Sequence, residues 1–171
     1  MEKRSIFGRI DGDGNRLHGY AAVWDSPTNI TEGGRSFIEV VRRGAFSRAL
    51  ASGGDIIATF NHNVDRLLGR TSSGTLRLSE DDHGLRFEID LPQSAADLKE
   101  LASRGDLNGA SFTFAPRKGG EVWDKGTREL RDVFLYELGP VVMPAYPATS
   151  VGLRDDAHRL RLMRLELLSR K

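Results

Sequence analysis

A β-rich α+β domain is the fold class predicted for this chain of 171 residues. Three observations carry the prediction. Short apolar stretches alternate with polar residues and are cut by Gly, Asp and Asn, the pattern of strands joined by tight turns. Glycine is frequent, at 19, against 6 prolines, which suits turns that need unusual backbone angles. Only three stretches repeat apolar residues at helical spacing, and one of these lies at the C-terminus.

Taken in order, the strand candidates are Ser5–Ile10, His18–Trp24, Ser36–Val41, Asp55–Asn61, Thr75–Ser79, Leu85–Leu91, Ala110–Pro116, Glu129–Tyr136 and Leu138–Met143. Asp11-Gly-Asp-Gly-Asn15 reads as a turn before the second strand. Asp81-Asp-His-Gly84 reads as a hairpin turn, with Leu76 and Leu78 alternating on one arm and Leu85, Phe87 and Ile89 on the other. The segments 25–34 and 117–126 are polar and Gly-containing and are expected to be loops. Arg43–Ala51 and Ser94–Ser103 are expected to be short helices. The second would be capped by Ser94 or Gln93 and ended by Gly105. In the last stretch Leu153, Ala157, Leu160, Met163 and Leu167 recur at helical spacing, and Leu162, Leu165 and Leu168 widen the stripe. Residues 1–152 are therefore expected to form the main domain and 153–171 an amphipathic helix. That helix would serve as the last core helix, a dimer interface or a scaffold contact.

Composition narrows the function. The formal net charge is +1 and 29% of residues are charged, a balance that argues against a dedicated nucleic-acid binder. The absence of cysteine removes disulfides, thiolate nucleophiles and cysteine zinc sites. No apolar run approaches the roughly 20 residues of a membrane span, and the N-terminus lacks a signal-type apolar region. A soluble, intracellular protein is the expectation, with neither membrane nor nucleic acid as a partner.

The chemistry concentrates in two segments. Phe60-Asn-His-Asn63 ends an apolar strand-like run, and Gly109-Ala-Ser-Phe-Thr-Phe114 follows some way downstream. A hydroxyl is a weak nucleophile until a base takes its proton, and imidazole suits that task near neutral pH. His62 and Ser111 are thus a candidate base and nucleophile. Each also has a plainer reading: His62 as a turn residue beside two asparagines, Ser111 as a polar residue on the solvent face of a strand. Period-2 alternation puts Ser111 on one face with Thr113. The nucleophile-elbow pattern Gly-x-Ser-x-Gly is absent, which disfavours an α/β-hydrolase. A third residue would orient the imidazole. Asp132 and Glu137 are the candidates. Glu137 interrupts an apolar strand and needs a partner if buried, whether a structural Arg or His62. Asp132 sits nearer polar sequence. His18, His83 and His158 carry less information, and no HExxH-type or HxxEH-type spacing supports a metal.

At these residues the chain resembles a family. Phe60-Asn-His-Asn63, Gly109-Ala-Ser-Phe-Thr-Phe114 and Tyr136-Glu-Leu-Gly-Pro-Val-Val-Met-Pro-Ala-Tyr146 look like the three motifs of the prohead (capsid maturation) proteases of tailed bacteriophages and prophages. His18-Gly-Tyr-Ala-Ala-Val-Trp-Asp25, Val41-Arg-Arg-Gly-Ala-Phe46 and Leu68-Gly-Arg70 are similar to other pieces of that family, in order, over roughly residues 5 to 152. The resemblance implies a serine endopeptidase with the fold of herpesvirus assemblin, a mostly antiparallel β-barrel surrounded by a few helices. It implies Ser111 as nucleophile and His62 as base. The third member, a second histidine in the herpesvirus enzymes, falls here on or beside Glu137, which is preferred to Asp132. The arginine pair that those enzymes use for the oxyanion has no counterpart near 144–145. That leaves backbone N–H groups or a water held by Arg154. The implied substrates are the scaffold region of the major capsid protein and the protease itself, inside the prohead in the host bacterial cytoplasm. A homodimer is expected, with no cofactor and no metal. The readings from other classes are a noncatalytic capsid-associated module and a β-barrel binding domain that keeps the fold.

Overall fold

A computed structural model describes residues 1–7, 11–13 and 15–142. The predicted helix over 153–171, the boundary at 152, His158 and Arg154 lie outside the described residues. So do Met143 and residues 144–145.

Among the described residues three sheets make up the fold. The first contains β1 (Glu2–Phe7), β6 (Ile57–Phe60), β7 (Asn63–Arg70), β10 (Gly109–Pro116) and β13 (Val133–Val141), in the order β1-β10-β13-β6-β7. The second contains β2 (Asp11–Asp13), β3 (Arg16–Val23), β8 (Leu76–Glu80) and β9 (Gly84–Asp90), in the order β2-β3-β9-β8. The third contains β4 (Thr28–Glu32), β5 (Arg35–Val41), β11 (Glu121–Asp124) and β12 (Thr127–Leu130), in the order β11-β12-β5-β4. Most pairings are antiparallel. The exceptions are β12 with β5 and β13 with β6. Among the described residues the helices are α1 (Ser47–Ala51) and α2 (Asp97–Ser103), the latter preceded by a 3₁₀ turn at Gln93–Ala95.

The β-rich prediction stands, but the closed barrel does not. Among the described residues each sheet is open: β1 and β7, β2 and β8, and β11 and β4 pair on one side only. Closure would need those edges to hydrogen-bond to one another. The molecule buries its apolar faces by stacking sheets instead. Leu17, Ala21 and Ala22 of β3 and Phe87 and Ile89 of β9 meet Phe112, Phe114 and Leu138 of the first sheet in one core. Three rings, Phe46, Phe112 and Phe114, run through it at centroid spacings of 5.4 and 5.3 Å.

Local predictions fail where the pattern is polar. The expected loops over 25–34 and 117–126 contain β4 and β11, and the Asp11–Asp13 turn segment is strand β2. β4 and β11 are edge strands with little to bury, so no apolar alternation marks them. The break predicted between Tyr136 and Leu138 is absent; β13 runs through it. α1 is shorter than predicted, and neither α1 nor α2 has a side-chain cap; Pro92 and Ala96 occupy the positions where Gln93 or Ser94 was expected. Gly105, at φ 79°, ends α2 as expected.

Candidate active site

Three strands of the first sheet supply the site. β10 carries Ser111 and Thr113 on the face away from Phe112 and Phe114, because side chains alternate along a strand. Ser111 lies opposite Gly139, and Thr113 opposite Glu137. The register then shifts by one, so that Phe114 faces Leu135 and Tyr136 is left over. This bulge sets the phase of β13. Val133 and Leu135 point into the core before it and Leu138 after it. Without the extra residue, Glu137 would share the core face with Val133 and Leu135. With it, Glu137 joins Ser111 and Thr113. Bulges are a common means of re-aiming one side chain beside a functional site.

His62 arrives from a different element. β6 and β7 are joined by the two residues Asn61 and His62, between the paired Phe60 and Asn63. Both have positive φ, 53° and 57°, as in a type I′ hairpin turn. Two other hairpins turn in the same way, at Gly33-Gly34 and Lys125-Gly126. Their second residue is glycine; here it is histidine. A non-glycine residue in this region is strained by about 1–3 kcal/mol, a cost that tends to be kept at functional sites. The turn is tied to the end of β13: Asn61 N–H donates to Pro140 O at 3.0 Å, and Val142 N–H donates to Asn61 Oδ1 at 2.9 Å. β6 lies so close to β13 that a Cβ on Gly139 would fall 2.0 Å from Thr59 O.

These constraints bring the three side chains together. His62 Nε2 is 2.7 Å from Ser111 Oγ, and His62 Nδ1 is 2.7 Å from Glu137 Oε2. Glu137 also accepts from Thr59 Oγ1 at 2.6 Å and from Thr113 Oγ1 at 2.8 Å. Burial pushes its carboxyl up. The hydrogen bonds from His62 and Thr59, the His62 charge and the Thr113 hydroxyl outweigh that push and hold the carboxyl below the usual glutamate range. An ionised carboxylate accepts only, so in the neutral form of the ring Nδ1 carries the proton and Nε2 presents a lone pair to Ser111. Ser111 has no exposed surface, while the His62 side chain keeps 17% of its own.

Asp132 does not reach this cluster. Its carboxylate pairs with Arg48 at 3.2 Å and Arg117 at 3.3 Å. His18 lies on β3 of the second sheet, and His83 packs its ring edge-on against Tyr20 at 4.6 Å. Among the described residues no group of three His, Cys, Asp or Glu side chains is arranged to hold a metal. Sequence reasoning missed Thr59 as a carboxylate partner and Asn61 as the anchor of the turn. It placed Thr113 on the correct face but gave it no role. Alternation was the only signal, and it does not say what lies opposite.

A family model described as caudovirus prohead serine protease matches residues 5–162 of this chain. No curated protein and no solved structure matches it.

Proposed function

The chain belongs to the caudovirus prohead serine protease family, a family of serine peptidases of capsid maturation, and on that premise we propose that Ser111, His62 and Glu137 are its catalytic residues. The hydrogen-bonded series Ser111–His62–Glu137, with both contacts at 2.7 Å, carries the reading. Ser111 Oγ attacks the carbonyl carbon of the scissile peptide while His62 Nε2 takes its proton. Glu137 holds Nδ1–H and stabilises the imidazolium, and stays ionised throughout. The imidazolium then gives its proton to the leaving amine as the C–N bond breaks. Water, deprotonated by the same nitrogen, releases the acyl group and restores Ser111.

The substrates are the scaffold region of the major capsid protein and the protease itself. Cleavage takes place inside the assembling prohead in the bacterial host, by a homodimer of the herpesvirus-protease type. Removing the scaffold would make room for DNA. Co-expression with the cognate capsid protein tests this. Wild type is expected to yield the shortened capsid band on a gel, and Ser111→Ala the full-length one. A shortened band with Ser111→Ala would refute the assignment.

A further inference from the structure

With Ser111 fully buried, an enzyme of the kind proposed above must displace something before a peptide bond reaches its Oγ. In the sheet Ser111 lies between Ser5 of β1 and Gly139 of β13. β13 is held on both sides, by β10 and by β6, whereas among the described residues β1 is an edge strand paired with β10 alone. An extended peptide that binds by strand addition needs a free edge on the receiving strand. β1 fills that edge of β10 from Glu2 opposite Phe114 to Phe7 opposite Gly109.

We propose that β1 is an intramolecular cap lying where an extended peptide substrate lies, and that the segment replacing it carries a basic side chain at the register of Arg4. The proposal rests on Ser111 being the nucleophile.

The backbone contact comes first. Arg4 O accepts from Ser111 Oγ at 2.8 Å, while His62 Nε2 stands 2.7 Å from Ser111 Oγ. A hydroxyl has one proton, so the two acceptors compete for it. Whatever share goes to Arg4 is withheld from His62. A peptide under attack turns its carbonyl carbon to the nucleophile and its oxygen to the oxyanion donors. In β1 the carbonyl oxygen faces the hydroxyl instead. The strand thus fills the substrate track without presenting its own bond for cleavage.

The side chain supplies the second argument. Arg4 is 6% exposed, and its Nε and Nη2 reach the two oxygens of Glu39 at 2.5 and 3.1 Å. Glu39, on β5, is itself 3% exposed. A buried carboxylate met by a two-pronged guanidinium favours a planar cation. Arg128 Nη1 also donates to Glu39, at 3.1 Å, so the carboxylate keeps one partner when Arg4 lifts away. An acidic side chain arriving in place of Arg4 would leave two buried carboxylates together.

The chain has no cysteine, so Phe7→Cys with Gly109→Cys creates one disulfide across a register pair. Ser111 reactivity is read by labelling with a fluorophosphonate. The oxidised, strapped protein is expected to label several-fold more slowly than the same protein reduced. Equal rates in the two forms overturn the cap. No labelling in either form, with wild type also unlabelled, refutes the nucleophile assignment and the cap with it. Arg4→Ala in the full chain is expected to label several-fold faster than wild type. Added peptide Glu-Lys-Arg-Ser-Ile-Phe should restore the slow rate, and the same peptide with glutamate for arginine should not. Equal slowing by both peptides overturns the basic side chain as the recognised feature.

Discussion

Glu137 occupies a position where charge is expensive and its supporting donors are many. Three side chains donate to it, and together they hold the carboxyl below its ordinary value of 4.5. A depressed pKa adds stability that is fully present above the unfolded value and is lost as pH falls through the folded one. Wild type is therefore expected to lose more stability than Glu137→Gln between about pH 7 and about pH 3, read as urea midpoints. The same variant should lower kcat by about 10⁴-fold, because the amide no longer fixes the tautomer or balances the imidazolium. Asn61 is tested by two substitutions. Both Asn61→Ala and Asn61→Gly remove the side-chain acceptor for Val142 N–H, but only alanine is strained at φ 53°. Asn61→Ala should be the less stable of the two by about 1 kcal/mol in denaturant unfolding. Both should lose activity as the turn holding His62 loosens.

The decisive features at the scale of elements are a bulge, a turn and a close approach of two strands. The unpaired Tyr136 puts Glu137 on the face of Ser111, and the Asn61-His62 turn swings the imidazole over that face. The parallel contact of β6 with β13 is short, with Glu137 opposite Ile57 and Leu138 opposite Ala58. It nevertheless sets where Thr59 and the turn sit. Gly139 permits that approach. Gly139→Ala drives a Cβ into Thr59 O, and neither backbone can retreat cheaply because both strands are paired on their far sides. We expect a folded but destabilised protein, by about 1–3 kcal/mol, with activity reduced by far more than the change in folded fraction. Unchanged fluorophosphonate labelling of this variant would contradict the geometry described. The helices contribute less to the site: α1 and α2 are short, and neither carries a residue of the cluster.

Across the whole molecule, the first and third sheets are joined by buried charge. Arg4 of β1 and Arg128 of β12 both donate to Glu39 of β5, and Glu2 pairs with both arginines. Removing one member of a buried network leaves charges without compensation, at a cost of about 3–5 kcal/mol. Glu39→Gln is expected to lose stability in that range by denaturant unfolding, and its β1 should become the first segment to exchange amide hydrogens. The open edges fit this architecture. Stacked sheets bury their apolar faces without closing, and the edge left at β10 is covered by a strand of the chain itself.

Much of this was legible in order and residue type. Alternation with Gly and Asp turns determined a β-rich chain, and the spaced His, Ser and Glu segments determined its family resemblance and the three residues singled out for chemistry. The fold brings those same three within hydrogen-bond distance, because each stands at a position that local pattern marks: a strand end, a small-residue strand and a carboxylate in an apolar run. The tertiary structure alone decided the rest. Which face Glu137 takes depends on one unpaired residue in a ladder between segments far apart in sequence. Polar edge strands such as β4 and β11 owe their form to a partner strand more than to their own side chains. Whether sheets close or stack, which threonines meet the carboxylate and which strand covers Ser111 depend on register and packing between distant segments. Those are properties of pairs of strands, and no single stretch of sequence holds them.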